Sequence, residues 1–223
     1  MKNVDDEGDA RSESLEDVRE SFFGMLSQDV VLSLARRESD DSQASRRDLI
    51  RTMFAAIEGY VWQYRGHVRS IVNDIEPLSP LLELALSETS YAVTEGGKVE
   101  TQIRFISLTS MIRLVTRIAE KHCAGLKVDF SQAGWSHLQQ AIKMRNRITH
   151  PKSKVDLEIT PTDIDISLAG FLWLCELIVT VMESTNSVAA QYLTEFREVA
   201  EALTRSDPTA VATYKAVLSH SED

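Results

Sequence analysis

Several kinds of chemistry are missing from this chain. There is no Gly-rich phosphate loop, no G-x-S-x-G, no H-E-x-x-H and no carboxylate cluster at metal spacing, which excludes the commonest nucleotide, acyl-transfer and metallohydrolase signatures. Cysteine occurs twice, at Cys123 and Cys175, each alone in a helical pattern with no C-x-x-C and no histidine at ligand spacing. A disulfide framework and a zinc site are both excluded, leaving buried reduced thiols, and no metal or cofactor is expected. No run of about 18 apolar residues occurs. The first 14 residues are acidic and polar where a signal peptide would be basic and then apolar. A cytoplasmic location without membrane contact is the expectation. Internal repeats and low-complexity tracts are also absent, and no strand-like alternation runs longer than Val155 to Ile159.

What is present is apolar helical periodicity. With 223 residues, 43% of them hydrophobic, the chain has enough material for a sizeable core. The formal net charge is −10, but residues 1–41 hold 12 Asp/Glu against 5 Lys/Arg, so the acidity is mainly N-terminal. The balanced remainder argues against an extended nucleic-acid-coating surface while allowing a small local site.

Residues 1–14 are nearly devoid of large apolar side chains, the pattern of a disordered segment. Val18, Phe22, Met25, Leu26, Val30 and Leu34 predict a first amphipathic helix from Leu15 to about Ala35. Ser45, with Asp48 three residues on, predicts the cap of a long helix over 46–73. Its apolar face carries Ile50, Met53, Phe54, Ile57, Val61, Tyr64, Val68 and Ile71. Pro80 starts a short helix, Gly96-Gly97 marks a loop with room for a small hairpin, and Ile103 to Lys121 is helical again. Trp135 to His150 forms the next helix, ended by Pro151. Thr160-Pro161-Thr162-Asp163 has the cap, first-turn proline and acidic third residue of a helix start. The strongly apolar helix that follows belongs inside a bundle or at a subunit interface. One or two further helices, about 188–203 and 208–218, complete the chain.

On the Trp135–His150 helix, Leu138 and Ile142 extend an apolar stripe from Trp135. The same stripe, continued, meets Arg145, Asn146, Thr149 and His150. Four polar residues on a core face are costly unless they pair or line a cleft. Asn146 and His150 are four apart, so the amide is placed to orient the imidazole. Arg145 and His150 lie about 140° apart on an ideal helix, and their convergence requires a loosened last turn or a second copy across a two-fold axis. The helix C-terminus favours a cationic side chain at His150.

The run R-N-x-x-x-H near the end of a core helix, closed by Pro151, resembles the Arg-x4-6-His motif of the HEPN superfamily. The long helix over 46–73, with Glu58 at the edge of its apolar face, resembles the earlier helix that supplies a polar residue to the same site. A second Arg-x4-His pair, Arg117 and His122, lacks the Asn and the Pro and is read as accidental. The resemblance implies an all-α, HEPN-like helical bundle over 45–190. Segments 1–14 (disordered, acidic) and 15–44 (helix and linker) would precede it, and 191–223 would form a C-terminal helical extension.

It also implies a metal-independent endoribonuclease that uses the 2′-OH of RNA to form a 2′,3′-cyclic phosphate, in a toxin–antitoxin or phage-defence setting. His150 would move the proton, Arg145 would stabilise the charged transition state, and Asn146 would orient His150 or the phosphate. Glu58 and Thr149 would support them, while Lys143, Arg147, Lys152 and Lys154 would steer the RNA backbone. One histidine per chain suits a homodimer that pairs two motifs, and an active ribonuclease requires an inhibitory partner.

Plainer readings stand beside these. Arg145 and His150 also suit a solvated or salt-bridged helix end. Glu58 can pair with Arg51 or Arg65, and the basic residues can be solubilising charge. The set Tyr60, Trp62, Tyr64, Trp135 and Trp173 reads as core or interface packing. The rival function is a non-catalytic helical interaction module in a protein complex.

Overall fold

The computed structural model describes residues 20–220. The segment expected to be disordered, 1–14, and the expected start of the first helix at Leu15 lie outside the described residues, as do the last three of the C-terminal extension. The chain is mostly helical. In order it forms α1 (Phe22–Ser39), α2 (Gln43–Ile75), α3 (Pro80–Leu86), β1 (Thr89–Val93), β2 (Val99–Ile103), α4 (Leu108–His122), α5 (Ala133–Thr149), a 3₁₀ turn (Lys154–Leu157), α6 (Pro161–Thr204) and α7 (Pro208–His220).

Short polar side chains start five of these helices. Ser21, Ser42, Ser79, Ser107 and Thr160 each accept a hydrogen bond from a first-turn backbone N–H. At α6 the Thr160–Asp163 capping box is complete, with Pro161 in the first turn. At α2 the cap is Ser42, not Ser45. The Ser42 N–H and hydroxyl both donate to Asp40, which fixes the turn three residues earlier than expected. Ser45 is instead buried inside the helix, and Asp48 pairs with Arg36 at 2.7 Å.

α2 is the axis of the bundle and packs against α1, α4 and α6. It buries Leu49, Ile50, Met53, Phe54, Ile57, Tyr60, Val61, Tyr64, Val68 and Val72. Tyr64 is fully buried and its hydroxyl meets Thr116 Oγ1 at 2.9 Å. Because Thr116 donates to Ile112 O, Tyr64 is the donor, and burial pushes its phenol well above the usual range. α5 lies against α6, and at Gly170 the backbones come so near that a Cβ would stand 2.6 Å from Leu138 N.

α6 is one continuous helix through the region where a break near residue 188 was expected. By length and composition it could cross a membrane, but Ile164, Phe171, Leu174, Leu177, Ile178 and Val181 are buried in the bundle. Beyond that, residues 190–201 are all exposed, including Tyr192, Leu193, Phe196 and Val199.

The hairpin pairs β1 with β2 in antiparallel register, Thr89 opposite Ile103 and Val93 opposite Val99. Ile103 therefore belongs to a strand, and α4 starts at Leu108, capped by Ser107. Val155 to Ile159 forms a 3₁₀ turn and loop, with no strand partner. A lone hairpin is marginal in water, and Glu88 ties this one down. Its carbonyl accepts Arg104 N–H at 2.7 Å, one carboxylate oxygen accepts Ile106 N–H at 2.9 Å and the other accepts Arg65 at 2.8 Å. Glu88 does this from a left-handed backbone, φ 53°, a conformation that costs a non-glycine residue about 1 kcal/mol or more.

His67 lies 2.9 Å from Thr185 Oγ1, and burial lowers its pKa. A folded-state pKa below the unfolded value means that the native state binds fewer protons, so stability is lost as pH falls through about 6.5. The urea midpoint of the wild type is expected to drop between pH 7 and pH 5 by more than that of His67→Gln; parallel curves for the two proteins would refute this.

Candidate functional site

The site is built where the C-terminal half of α5 passes the middle of α2. Arg145, 30% exposed at its side chain, forms an ion pair with Glu58 through Nη2 and donates through Nη1 to Asn146 Oδ1 at 3.2 Å. The Phe54 ring lies under the guanidinium, 5.8 Å from Cζ to the centroid. Charge, amide and ring thus hold one arginine that remains partly open to solvent. Thr149 spends its hydroxyl on the carbonyl of Arg145, 2.7 Å away.

His150 is the C-cap of α5. Its backbone N–H still reaches Asn146 O at 3.0 Å, but φ −125° and ψ 59° take the residue out of the helix. The side chain is exposed and has no hydrogen-bond partner among the described residues.

Three expectations are corrected here. Asn146 gives its side-chain oxygen to Arg145 and not to the imidazole. The buried line on α5 runs through Trp135, Leu138, Ala141, Met144 and Ile148. Steps of three turn it by about 60° each, because 3.6 residues make a turn. Of the four polar residues Asn146, Thr149 and His150 are exposed, and Arg145 alone stays half-buried on the core side, against Phe54. Glu58 also pairs with neither arginine of its own helix. Arg65 is taken by Glu88, and Arg51 reaches Ile148 O at 3.5 Å.

Among the surrounding cations Lys143, Lys152 and Lys154 are exposed. Arg147 is committed elsewhere, donating to Glu158 O at 3.0 Å and standing 3.8 Å from Asp163. The loop that follows His150 is clamped from α2: Gln43 and Arg46 donate to Ile159 O, and Arg47 donates to Leu157 O. Asp156 accepts the Lys152 and Ser153 N–H groups, and those bonds, first that from Lys152, hold its carboxyl below the usual range. The loop is thus a fixed floor beside the motif. The second Arg-x4-His pair has no such setting, since His122 is tucked against Glu76 at 3.8 Å.

One part of the site is not legible in residue type alone. Trp62 is 59% exposed and lines a cleft of about 420 Å³ that has Glu58 at its rim. One signal for it was available: Trp62 follows Val61, one step off the apolar line of α2. Tyr60, Tyr64 and Trp135 are buried as expected. Among the described residues no group of three His, Cys, Asp or Glu side chains has the arrangement of a metal site. Comparison of the chain with family models, with curated proteins and with solved structures finds no match.

Proposed function

We propose that this chain is a metal-independent endoribonuclease of HEPN type. The observation that carries the reading is the Glu58–Arg145–Asn146 array with His150, exposed and without a partner among the described residues, at the end of the same helix. An arginine braced on three sides is preorganised to meet charge developing on a phosphate, and an exposed imidazole at the end of the same helix is available for proton transfer. In the reaction His150 takes the proton of a 2′-OH, O2′ bonds to phosphorus, and the P–O5′ bond breaks. O5′ then acquires a proton, leaving a 2′,3′-cyclic phosphate and a 5′-OH.

A single His150 cannot serve as base and acid in one step, so a homodimer pairing two motifs supplies the second. Lys143, Lys152 and Lys154 guide the RNA backbone. The protein acts in the cytoplasm under restraint by an inhibitory partner, in toxin–antitoxin or phage defence.

The test uses labelled single-stranded RNA in EDTA with end-group analysis. Wild-type protein is expected to cut, to leave cyclic phosphate, and to fail when the nucleotide 5′ of the cut carries a 2′-deoxy sugar. Cleavage that survives that deoxy substitution, or no cleavage across several RNAs, removes the reading.

A second reading, a non-catalytic interaction module, is favoured by the exposed helix segment 190–201 with its four large apolar side chains, a surface suited to a protein partner. Host growth separates the two. Expression of a ribonuclease slows growth and His150→Ala restores it, whereas a module leaves growth indifferent to His150.

A further inference from the structure

The cleft beside the motif opens between α2 and the base of the hairpin. Glu58, Trp62 and Arg65 lie at i, i+4 and i+7 on one face of α2. Glu88 and Phe105 face them from the hairpin side. Its volume, about 420 Å³, lies within the range of small-ligand pockets.

Two aromatic side chains stand unusually open there, Trp62 at 59% and Phe105 at 85% exposure. Trp62 stands beside Phe22, ring centroids 6.3 Å apart and planes tilted by 55°. The polar groups are tied by hydrogen bonds. Glu88 is locked by Arg65 and Ile106 N–H, and each carboxylate oxygen, having accepted one hydrogen bond, retains acceptor capacity. Glu58 joins this cleft to Arg145 directly.

We propose that the cleft is a subsite for one unpaired nucleobase, next to the phosphate held at Arg145. This rests on the ribonuclease reading and adds its substrate preference. Trp62 and Phe105 supply faces on which a base stacks, as in single-strand binding generally. Two carboxylates against one arginine make the polar edge of the cleft mainly accepting. It therefore favours a base that presents adjacent N–H donors, which guanine does through N1–H and its 2-amino group and uracil does not. The base enters the carboxylate-lined cleft while the phosphate stays at Arg145, and Glu58 and Glu88 meet the backbone charge already paired with Arg145 and Arg65.

The experiment uses full-length wild-type protein and fluorescein-labelled 2′-O-methyl hexamers, which lack the attacking hydroxyl and remain whole. One hexamer carries a single central guanine and the other is all uracil. Fluorescence anisotropy is expected to show tighter binding of the guanine hexamer, and Trp62→Ala and Phe105→Ala each to weaken it by about tenfold. Trp62→Phe, which keeps a stacking face, is expected to retain most of the affinity. Phe105 is too exposed to hold the fold, so its variant separates binding from stability. Unchanged affinity in both alanine variants, or equal affinity for the two hexamers, overturns the proposal. Cleavage of ordinary RNA is scored separately. Wild type that binds guanine through Trp62 without cutting leaves the subsite and removes the nuclease; wild type that cuts while the variants bind undiminished removes only the subsite.

Discussion

Gly170→Ala is expected to lower stability by about 2 kcal/mol even though alanine is the better helix former. In an exposed helix interior the exchange would gain up to about 1 kcal/mol. Here the new Cβ would lie 2.6 Å from Leu138 N, 2.7 Å from Leu138 Cα and 3.0 Å from His137 C. All three are backbone atoms, so no rotamer change relieves the contact and α5 as a whole must move away from α6. Overpacking of this kind costs about 1–3 kcal/mol or more, and the upper part of that range wins over the propensity gain. The expected Tm loss is about 4–8 °C for a chain of this size. Because α5 carries Arg145, the same shift should loosen the pairing with Glu58, so any cleavage activity should fall by more than the folded fraction does. Thermal and urea denaturation followed by circular dichroism check the stability. An unchanged or raised midpoint would mean that the two helices do not touch at Gly170.

Gly170 also shows where sequence reading stops. Helices and caps were legible because their causes are local: Thr160-Pro161-Thr162-Asp163 carries its own start signal, and Gly96-Gly97 marks the hairpin, with Gly97 at φ 76°. Competition between equally good local signals was not legible. Ser42 and Ser45 are both competent caps, and the contact of Ser42 with Asp40 decides between them. Ile103 suits a helix by composition, yet cross-strand pairing with Thr89 takes it. A helix break near residue 188 had no breaker behind it. No glycine or proline stands between Phe171 and Asp207, and α6 ends just before Ser206, in left-handed geometry, and Pro208.

The site divides the same way. That Glu58 lies at the edge of the apolar face of α2 follows from helical phase. Its meeting with Arg145, 87 residues later, depends on how two helices cross. The buried line on α5 was misplaced because Ile142 extends the Trp135–Leu138 stripe in sequence, whereas packing against α6 selects Ala141 and Met144. Residue type alone assigns Trp62 to packing. Its exposure depends on the cleft left open by the hairpin, which no local pattern on α2 contains.

The other large effect expected is on the rate. His150→Ala should slow RNA cleavage by about 10²–10⁴-fold, the usual worth of a positioned acid–base group. Arg145→Ala should cost about 10²–10³-fold, as for loss of one preorganised donor to a developing oxyanion. Neither change should move the unfolding midpoint much. His150 is exposed without a partner among the described residues, and the Arg145–Glu58 pair, 30% and 51% exposed, is worth about 0–1 kcal/mol to folding. That separation of rate from stability distinguishes a catalytic arginine from a salt-bridged helix end.

Arg145→Lys keeps the charge but not the planar fork that reaches Glu58 and Asn146 together, so it should recover little of the loss. Glu58 touches the guanidinium and acts by positioning it. Glu58→Gln keeps an acceptor for Arg145, and the expected signature is a fall of about tenfold in kcat with KM nearly unchanged, since aim matters most in the transition state. Single-turnover cleavage and urea denaturation on the same four variants give both readouts. If Arg145→Ala and Glu58→Gln lower the unfolding free energy by several kcal/mol while cleavage per folded molecule stays at the wild-type rate, the array is a structural clamp between α2 and α5 and the chemistry lies elsewhere.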